Sequence, residues 1–277
     1  MRIITDSASD ITQAEAKEMN ITVCPLLVRF GMEEFRDGMD ITMDEFYQRL
    51  SESENLPTTS AIAPGMFEEY YGEGEDVLAI IVSSKLSSTY QSAVIAKGDR
   101  EDVEVVDSLN AALGQRLLVE LAVRLRDEGK NIHEIAAILN EKKKNIRLIA
   151  LLNTLENLRK GGRISSSVAA IGTLLVIKPV IQVVDGVVEM SGKARGAKNG
   201  RKIMQECIEA TGEIDFDYPY TLAYSGMDAE NLIKYVEEHR DFWNKSIEEL
   251  RVVTIGAVIG THAGSGACAV AYFAKEN

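Results

Sequence analysis

The sequence predicts an α/β protein of two domains: an N-terminal domain with a doubly wound, mostly parallel sheet, and a C-terminal α/β domain with a mixed sheet. Short apolar runs alternate with helical patterns as far as about residue 145, which is typical of a parallel sheet with helices on both faces. Beyond that point, Asp185-Gly186 separates two apolar runs and predicts a hairpin of antiparallel strands. We therefore expect domains over residues 1–146 and 147–277.

The first domain is expected to alternate strands with helices. Residues 77–82 are all apolar, so this strand is expected to be buried on both faces of the sheet. Capping boxes at Thr42/Glu45 and Asn131/Glu134 predict two helix starts. The other expected strands are 2–5, 21–30 and 103–106; the helices are 12–19, 42–50, 64–71, one from about 88, 109–128 and 131–144; and 31–40 and 56–65 are expected to be irregular loops.

The second domain is expected to be mixed because its hairpin lies among further strand and helix patterns. Its expected strands are 147–152, 179–184, 187–190, 220–224, 251–256 and 267–273, and its expected helices are 154–160, 168–176, 195–210 and 229–241. The glycine-rich segment 260–266 is expected to be a loop between two strands.

Composition excludes several classes of function. The chain has 277 residues and a net charge of −13, and an acidic surface repels the phosphates of nucleic acids. Three scattered cysteines give neither a disulfide framework nor a zinc site. The first residues predict a strand rather than a signal peptide, and the apolar runs are too short to span a bilayer. We expect a cytoplasmic protein without stable membrane insertion, although transient membrane contact is compatible with the sequence.

Hydroxyl-bearing or glycine-rich loops are the candidate sites. They cover residues 6–10, 58–60, 83–89 and 260–266, and several follow a strand or precede a helix. Hydroxyls and backbone N–H groups at such positions suit a carboxylate or another polar head group. A Walker A sequence and a G-x-G-x-x-G sequence are both absent, so a nucleotide site has no support. The carboxylates, including Asp6 and Asp10, show no metal-ligand spacing and are expected to be turn and cap residues.

Two other kinds of site remain open from the residues alone. His262 could act as a base for Ser84 or Ser265 in a hydrolase or acyltransferase, although no G-x-S-x-G sequence is present. Positive charge is concentrated between Arg159 and Lys202, either as a solvated face or as a docking patch for an acidic or phosphorylated partner.

Several motifs, taken together and in order, resemble those of the DegV family across essentially the whole chain. They are Thr5-Asp-Ser7, Pro57-Thr-Thr-Ser60, the run 83–93, Val106-Asp-Ser108, Leu158-Arg-Lys-Gly-Gly-Arg-Ile-Ser165, the run 172–179, and Thr261-His-Ala-Gly-Ser-Gly266. Departures from the family pattern are Ala61-Ile62, Ser88 and Ser265, where the family often has Gln-Pro, Gly and Pro.

The resemblance implies a non-enzymatic carrier that buries one long-chain fatty acid, such as palmitate, stearate or oleate, in an apolar tunnel without a metal or other cofactor. It also implies that the carrier presents the carboxylate to a fatty acid kinase for acyl phosphate formation. By this resemblance Thr59 and Ser84 hold the carboxylate, with Ser60, Ser83 and Ser87 nearby and His262 completing the network. Arg163 and Arg195 would face the kinase, and helix 168–176 would form part of the tunnel wall. A binder of another small amphipathic carboxylate remains an alternative.

Overall fold

The computed structural model describes residues 1–164 and 177–275. Within these ranges the strands are β1 (Arg2–Asp6), β2 (Thr22–Cys24), β3 (Leu27–Phe30), β4 (Glu33–Arg36), β5 (Thr58–Ser60), β6 (Val77–Ile81), β7 (Val103–Asp107), β8 (Ile146–Leu151), β9 (Ile177–Val184), β10 (Val187–Arg195), β11 (Tyr220–Tyr224), β12 (Val252–Thr254) and β13 (Cys268–Phe273).

The helices lie between these strands for most of the chain. They are α1 (Gln13–Glu18), α2 (Met43–Glu52), α3 (Pro64–Tyr71), α4 (Thr89–Lys97), α5 (Ala112–Asp127), α6 (Ile132–Lys142), α7 (Glu156–Lys160), α8 (Ala197–Ala210), α9 (Glu230–Glu238), α10 (Arg240–Trp243) and α11 (Ala257–Ala263), with 3₁₀ turns at Ser7–Ser9, Lys143–Asn145 and Ile247–Glu249. The capping box at Asn131 is present as predicted. The predicted helix 168–176 lies outside the described residues.

The first sheet is parallel and has the order β2-β1-β6-β7. Its strand β6 is buried on both faces, as predicted, because alternate residues enter different clusters. Leu78 and Ile80 pack in one hydrophobic core, whereas Val77, Ala79 and Ile81 pack in another. This strand therefore holds two layers of the molecule together.

The second sheet is mixed, with the order β10-β9-β8-β13-β11-β12. Strands β11 and β12 are parallel, and the other neighbours are antiparallel. Asp185 and Gly186 both have positive φ, 47° and 83°, as a tight hairpin turn between β9 and β10 requires. The two predicted sheet types are confirmed.

A third, small sheet of order β4-β3-β5 was not predicted, and the expectation of loops over 31–40 and 56–65 is wrong. Strand β4 returns from β3 through Gly31, whose φ is +60°. Strand β5 pairs with the other edge of β3. The sequences of β4 and β5 show little alternation of apolar and polar residues. Their strand conformation depends on pairing with β3.

The fold class is confirmed, with one sheet built from strands before residue 108 and another from strands after residue 145. Helix α5 packs against strands of the parallel sheet and of the mixed sheet. One hydrophobic cluster therefore extends from the first sheet to the second through this helix. The boundary after residue 146 stays a prediction. In the part of the chain that the structure describes, no helix combines the length and apolar character needed to cross a membrane.

Candidate functional site

An apolar cavity of about 260 Å³ opens on one face of the mixed sheet. Strand residues two apart share a face, and β8 and β9 turn such pairs toward the cavity. Helix α11 lines it from another side. The wall includes Leu148, Ala150, Ile181, Val183, Val188 and Ala269 from the mixed sheet, with Val258 and Ile259 from α11. The end of the parallel sheet also borders the cavity, because Val82, which directly follows strand β6, lines the same space.

Polar side chains also line this cavity, and several come from the predicted loops. They are Thr59, Ser60, Ser87, Ser88, Arg163 and His262. Thr59 Oγ1 and His262 Nε2 lie 3.0 Å apart, although 203 residues separate them in sequence. Strand β5 positions the threonine and α11 positions the histidine, so two segments predicted as loops are regular elements. The arrangement offers hydroxyl donors and a guanidinium next to an apolar chamber.

His262 is held in its neutral form by its surroundings. Burial, followed by the charge of Arg163, lowers the pKa of the imidazole to about 4. Its Nδ1 faces Gly161, where an added Cβ would lie 2.3 Å away, and it has no hydrogen-bond partner among the described residues. The ring is therefore a neutral group that bonds Thr59 through Nε2. If Nε2 carries the proton, the Thr59 hydroxyl is left free to donate.

The serines of the segment after β6 divide between the two sides of a turn. The N–H groups of Leu86 and Ser87 both donate to the carbonyl of Ser83, at 3.0 and 3.1 Å, and this folds the segment back on itself. Ser87 thereby lines the cavity, with its Oγ 2.8 Å from Thr89 Oγ1. Ser84 is exposed on the outer side of the turn.

Two predicted carboxylate ligands therefore lie away from the cavity lining. The Ser84 backbone N–H donates to the Asp107 carboxylate at 3.2 Å, and its side chain is exposed. The Ser83 hydroxyl is buried and donates to the carbonyl of Gly186 at 2.8 Å. The geometry favours Ser87 over both of them, and the sequence could not separate the three because the backbone bonds of the turn decide which hydroxyl faces inward.

The comparison with protein families identifies the chain. A family model described as uncharacterised protein, DegV family, matches residues 1–275. The chain belongs to the DegV family. A DegV domain-containing protein of Clostridium acetobutylicum is 34% identical over an alignment of 283 positions that covers 99% of this chain and 99% of that protein.

Solved DegV structures share the fold. A Thermus thermophilus DegV family protein, described by its fatty acid binding, is 32% identical, with a TM-score of 0.86 over 98% of this chain and 99% of that one. A Streptococcus pneumoniae protein, described as fatty acid kinase B3 protein loaded with linoleic acid, is 21% identical, with a TM-score of 0.85 over 99% of both chains. At that identity the second likeness shows the fold alone.

The two arginines expected on a partner-facing side of this DegV chain lie in different environments. Arg163 lines the cavity, and its Nε–H donates to the carbonyl of Leu86 at 3.0 Å. A second N–H of the same side chain donates to the carbonyl of Gly161. Arg195 ends β10 and is exposed; the expected helix starts only at Ala197. Arg163 is thus a residue of the cavity, a position that its motif did not reveal.

The alternative of a Ser84–His262 nucleophile and base gains no support from the DegV geometry. His262 Nε2 faces Thr59, and Ser84 lies outside the cavity lining. A general base must be within hydrogen-bond reach of the proton that it removes. Over residues 1–164 and 177–275, the structure also contains no group of three or more potential metal ligands among His, Cys, Asp and Glu.

Proposed function

We propose that this chain is a carrier that binds one long-chain fatty acid, such as palmitate, stearate or oleate, and that it catalyses no reaction itself. The observation that carries the proposal is the apolar cavity whose polar residues include Thr59, Ser87, Arg163 and His262. Its chemistry matches an amphipathic ligand with one apolar chain and one anionic head. The fatty acid named for the Thermus relative supports the same ligand class.

The acyl chain would gain its affinity from the aliphatic wall. Each methylene removed from water contributes about 0.8 kcal/mol, so a chain of this kind needs no directional contacts along its length. The small side chains of Ala150, Ala263 and Ala269 leave room beside the larger residues of the lining. The proposal therefore predicts selection for an apolar chain together with a polar head.

The head group needs donors because burying a carboxylate without hydrogen bonds is costly. We assign this task to the hydroxyls of Thr59, Ser60 and Ser87. His262 would orient the Thr59 hydroxyl through the contact between Nε2 and Oγ1. The guanidinium of Arg163 adds a positive charge next to this position. Ser83 and Ser84 are left out of the binding set, since one hydroxyl is bonded to Gly186 and the other is exposed.

We propose a fatty acid kinase as the partner that receives the presented carboxylate. The exposed Arg195 and the lysines near it are the candidate contact, in a chain whose overall charge is −13. The fold that this chain shares with the Streptococcus fatty acid kinase B3 protein is in keeping with this partner. Reduced acyl phosphate formation with Arg195→Ala at unchanged fatty acid affinity would support the contact.

The first test is native mass spectrometry of the purified protein, followed by solvent extraction and lipid analysis. We expect a mass excess of one ligand that extracts as a long-chain free fatty acid. A smaller amphipathic acid in the extract would replace the fatty acid as ligand. A clean protein mass that does not shift with added palmitate or oleate would contradict the proposal.

The second test removes the proposed head-group donors. The double variant Thr59→Ala with Ser87→Ala is expected to lower fatty acid affinity by about a hundredfold or more, because hydrogen bonds to a charged group contribute about 1.5–3 kcal/mol each. The matched control is Ser84→Ala, which removes an exposed hydroxyl from the same turn. Isothermal titration with palmitate measures both. Full affinity in the double variant, or an equal loss in the control, would overturn the assignment.

A further inference from the structure

Two buried carboxyl groups meet at the N-terminus of helix α11. Asp10 Oδ1 accepts the N–H of Gly256 at 2.9 Å, and Asp37 Oδ1 accepts the N–H of Ala257 at 3.0 Å. The side chains are only 6% and 2% exposed. Both come from the N-terminal part of the chain, more than two hundred residues before the helix that they contact. They therefore tie α11 to β1 and β4 rather than to its own neighbours in sequence.

Both carboxyl groups lie close to Gly256. A Cβ added at Gly256 would lie 3.0 Å from Asp10 Oδ1 and 3.6 Å from each carboxyl oxygen of Asp37. Asp10 Oδ2 is buried and has no hydrogen-bond partner in the described part of the chain. Burying an ionised carboxylate oxygen without a hydrogen bond carries a large desolvation free energy, and burying a neutral carboxyl group carries a smaller one.

The surroundings disfavour negative charge on this pair. Burial raises the pKa of Asp37 to about 6, and burial together with the negative charge of Asp37 raises that of Asp10 well above its usual range. Two like charges this close disfavour ionisation of both. The charged, titratable or hydroxyl groups facing the pair from the elements packed around it are Asp6, Ser7, Tyr47 and Arg116, and Arg116 is in turn paired with Glu15.

Helix α11 connects this pair to the proposed head-group site. The pair holds its first residues, Val258 and Ile259 line the cavity, and His262 near its end reaches Thr59. The helix has seven residues, so a shift at its start moves the imidazole at its end. Tyr47 braces the same start, since its hydroxyl donates to the carbonyl of Ile255 at 2.9 Å.

We propose that Asp10 and Asp37 are positioning residues of the head-group site: they clamp the start of α11 and thereby keep His262 against Thr59. The inference rests on the proposed fatty acid function. It predicts that losing the clamp weakens recognition of the carboxylate while leaving the apolar chamber able to bind an acyl chain.

The test compares two ligands with the same chain, palmitate and hexadecan-1-ol, by titration calorimetry. Asp37→Ala is expected to lower palmitate affinity by about tenfold and to leave hexadecanol affinity within about twofold. Asp37→Asn keeps an oxygen acceptor for the Ala257 N–H and is expected to restore most of the palmitate affinity. Asp40→Ala, an exposed carboxylate of the same segment bonded to Arg36, is the matched control and should change neither affinity.

The outcomes separate the two proposals. Equal losses of both ligands in Asp37→Ala, no loss of either, or no recovery of palmitate affinity in Asp37→Asn would overturn the clamp while leaving the carrier intact. An unmodified chain that does not bind palmitate would instead refute the carrier, and the clamp would fall with it.

Discussion

At the scale of single residues, Gly161 decides how closely the chain can approach His262. Its φ is not positive, so an alanine would fit the backbone, yet the added Cβ would lie 2.3 Å from Nδ1 of the imidazole. The glycine is therefore required for space rather than for conformation. The ring must move if that space is filled, and its contact with Thr59 would lengthen.

We expect Gly161→Ala to weaken palmitate binding by about fivefold to thirtyfold, the equivalent of roughly 1–2 kcal/mol for a lost or distorted hydrogen bond. Titration calorimetry measures the affinity. The matched comparison is the same substitution in a His262→Ala background, where the clash partner is gone. If Gly161→Ala lowers palmitate affinity as much in that background as in the native chain, its effect does not act through His262.

The resemblance to the DegV family predicted Thr59, Ser60, Ser87 and His262 as members of one site. It also included Ser83 and Ser84, which do not line the cavity. Ser87 differs from Ser83 and Ser84 in the direction of its side chain within one turn. Two backbone hydrogen bonds to the Ser83 carbonyl set that direction. Residue types alone carry no such information.

At the scale of elements, helix α11 was not predicted from the sequence. Its glycines suggested a loop, yet Gly260 lies within the helix and faces α2 closely. An added Cβ at Gly260 would lie 2.7 Å from the Tyr47 hydroxyl and 2.8 Å from the Phe46 ring. The glycine thus serves close helix packing, a tertiary demand that outweighs its low helix propensity. Strands β4 and β5 were missed for a related reason, since they depend on β3.

Gly260→Ala is expected to destabilise the fold by about 1–3 kcal/mol, because the extra methyl group overpacks a tight contact. Urea denaturation followed by circular dichroism measures the free energy of unfolding. Gly65→Ala in α3 is the control, since its added methyl group would meet nothing within 4 Å and should be neutral or stabilising. Equal stability of Gly260→Ala and the native chain would contradict the packing argument.

At the scale of the whole molecule, buried acids make stability depend on pH in an unusual direction. Burial raises the pKa values of Asp6 and Asp37 to about 6 from an ordinary value of 3.8. The folded chain therefore holds more protons at these sites than the unfolded chain over that interval. Their contribution to stability is present below about pH 4 and is lost as the pH rises through about 6. The sequence offered no sign of this, because both residues resemble ordinary turn aspartates.

Asp37→Asn should therefore gain stability relative to the native chain as the pH rises from about 4 to about 6. Urea unfolding at a series of pH values measures the difference. Asp40→Asn is the control: hydrogen bonds from Arg36 lower the pKa of Asp40 to about 2, so its difference from the native chain should be constant over the same interval. Parallel pH curves for Asp37→Asn and the native chain would refute the argument.

The long-range contacts around α11 have a consequence for synthesis on the ribosome. Asp10, Tyr47 and Thr59 emerge early, whereas their partners Gly256, Ile255 and His262 are translated more than two hundred residues later. The parallel sheet, whose strands end at Asp107, can form while translation continues, since N-terminal segments fold first. The polar end of the cavity, however, cannot be assembled before residues 255–262 have been synthesised. A ligand that depends on it can therefore be captured only after this late segment has left the ribosome.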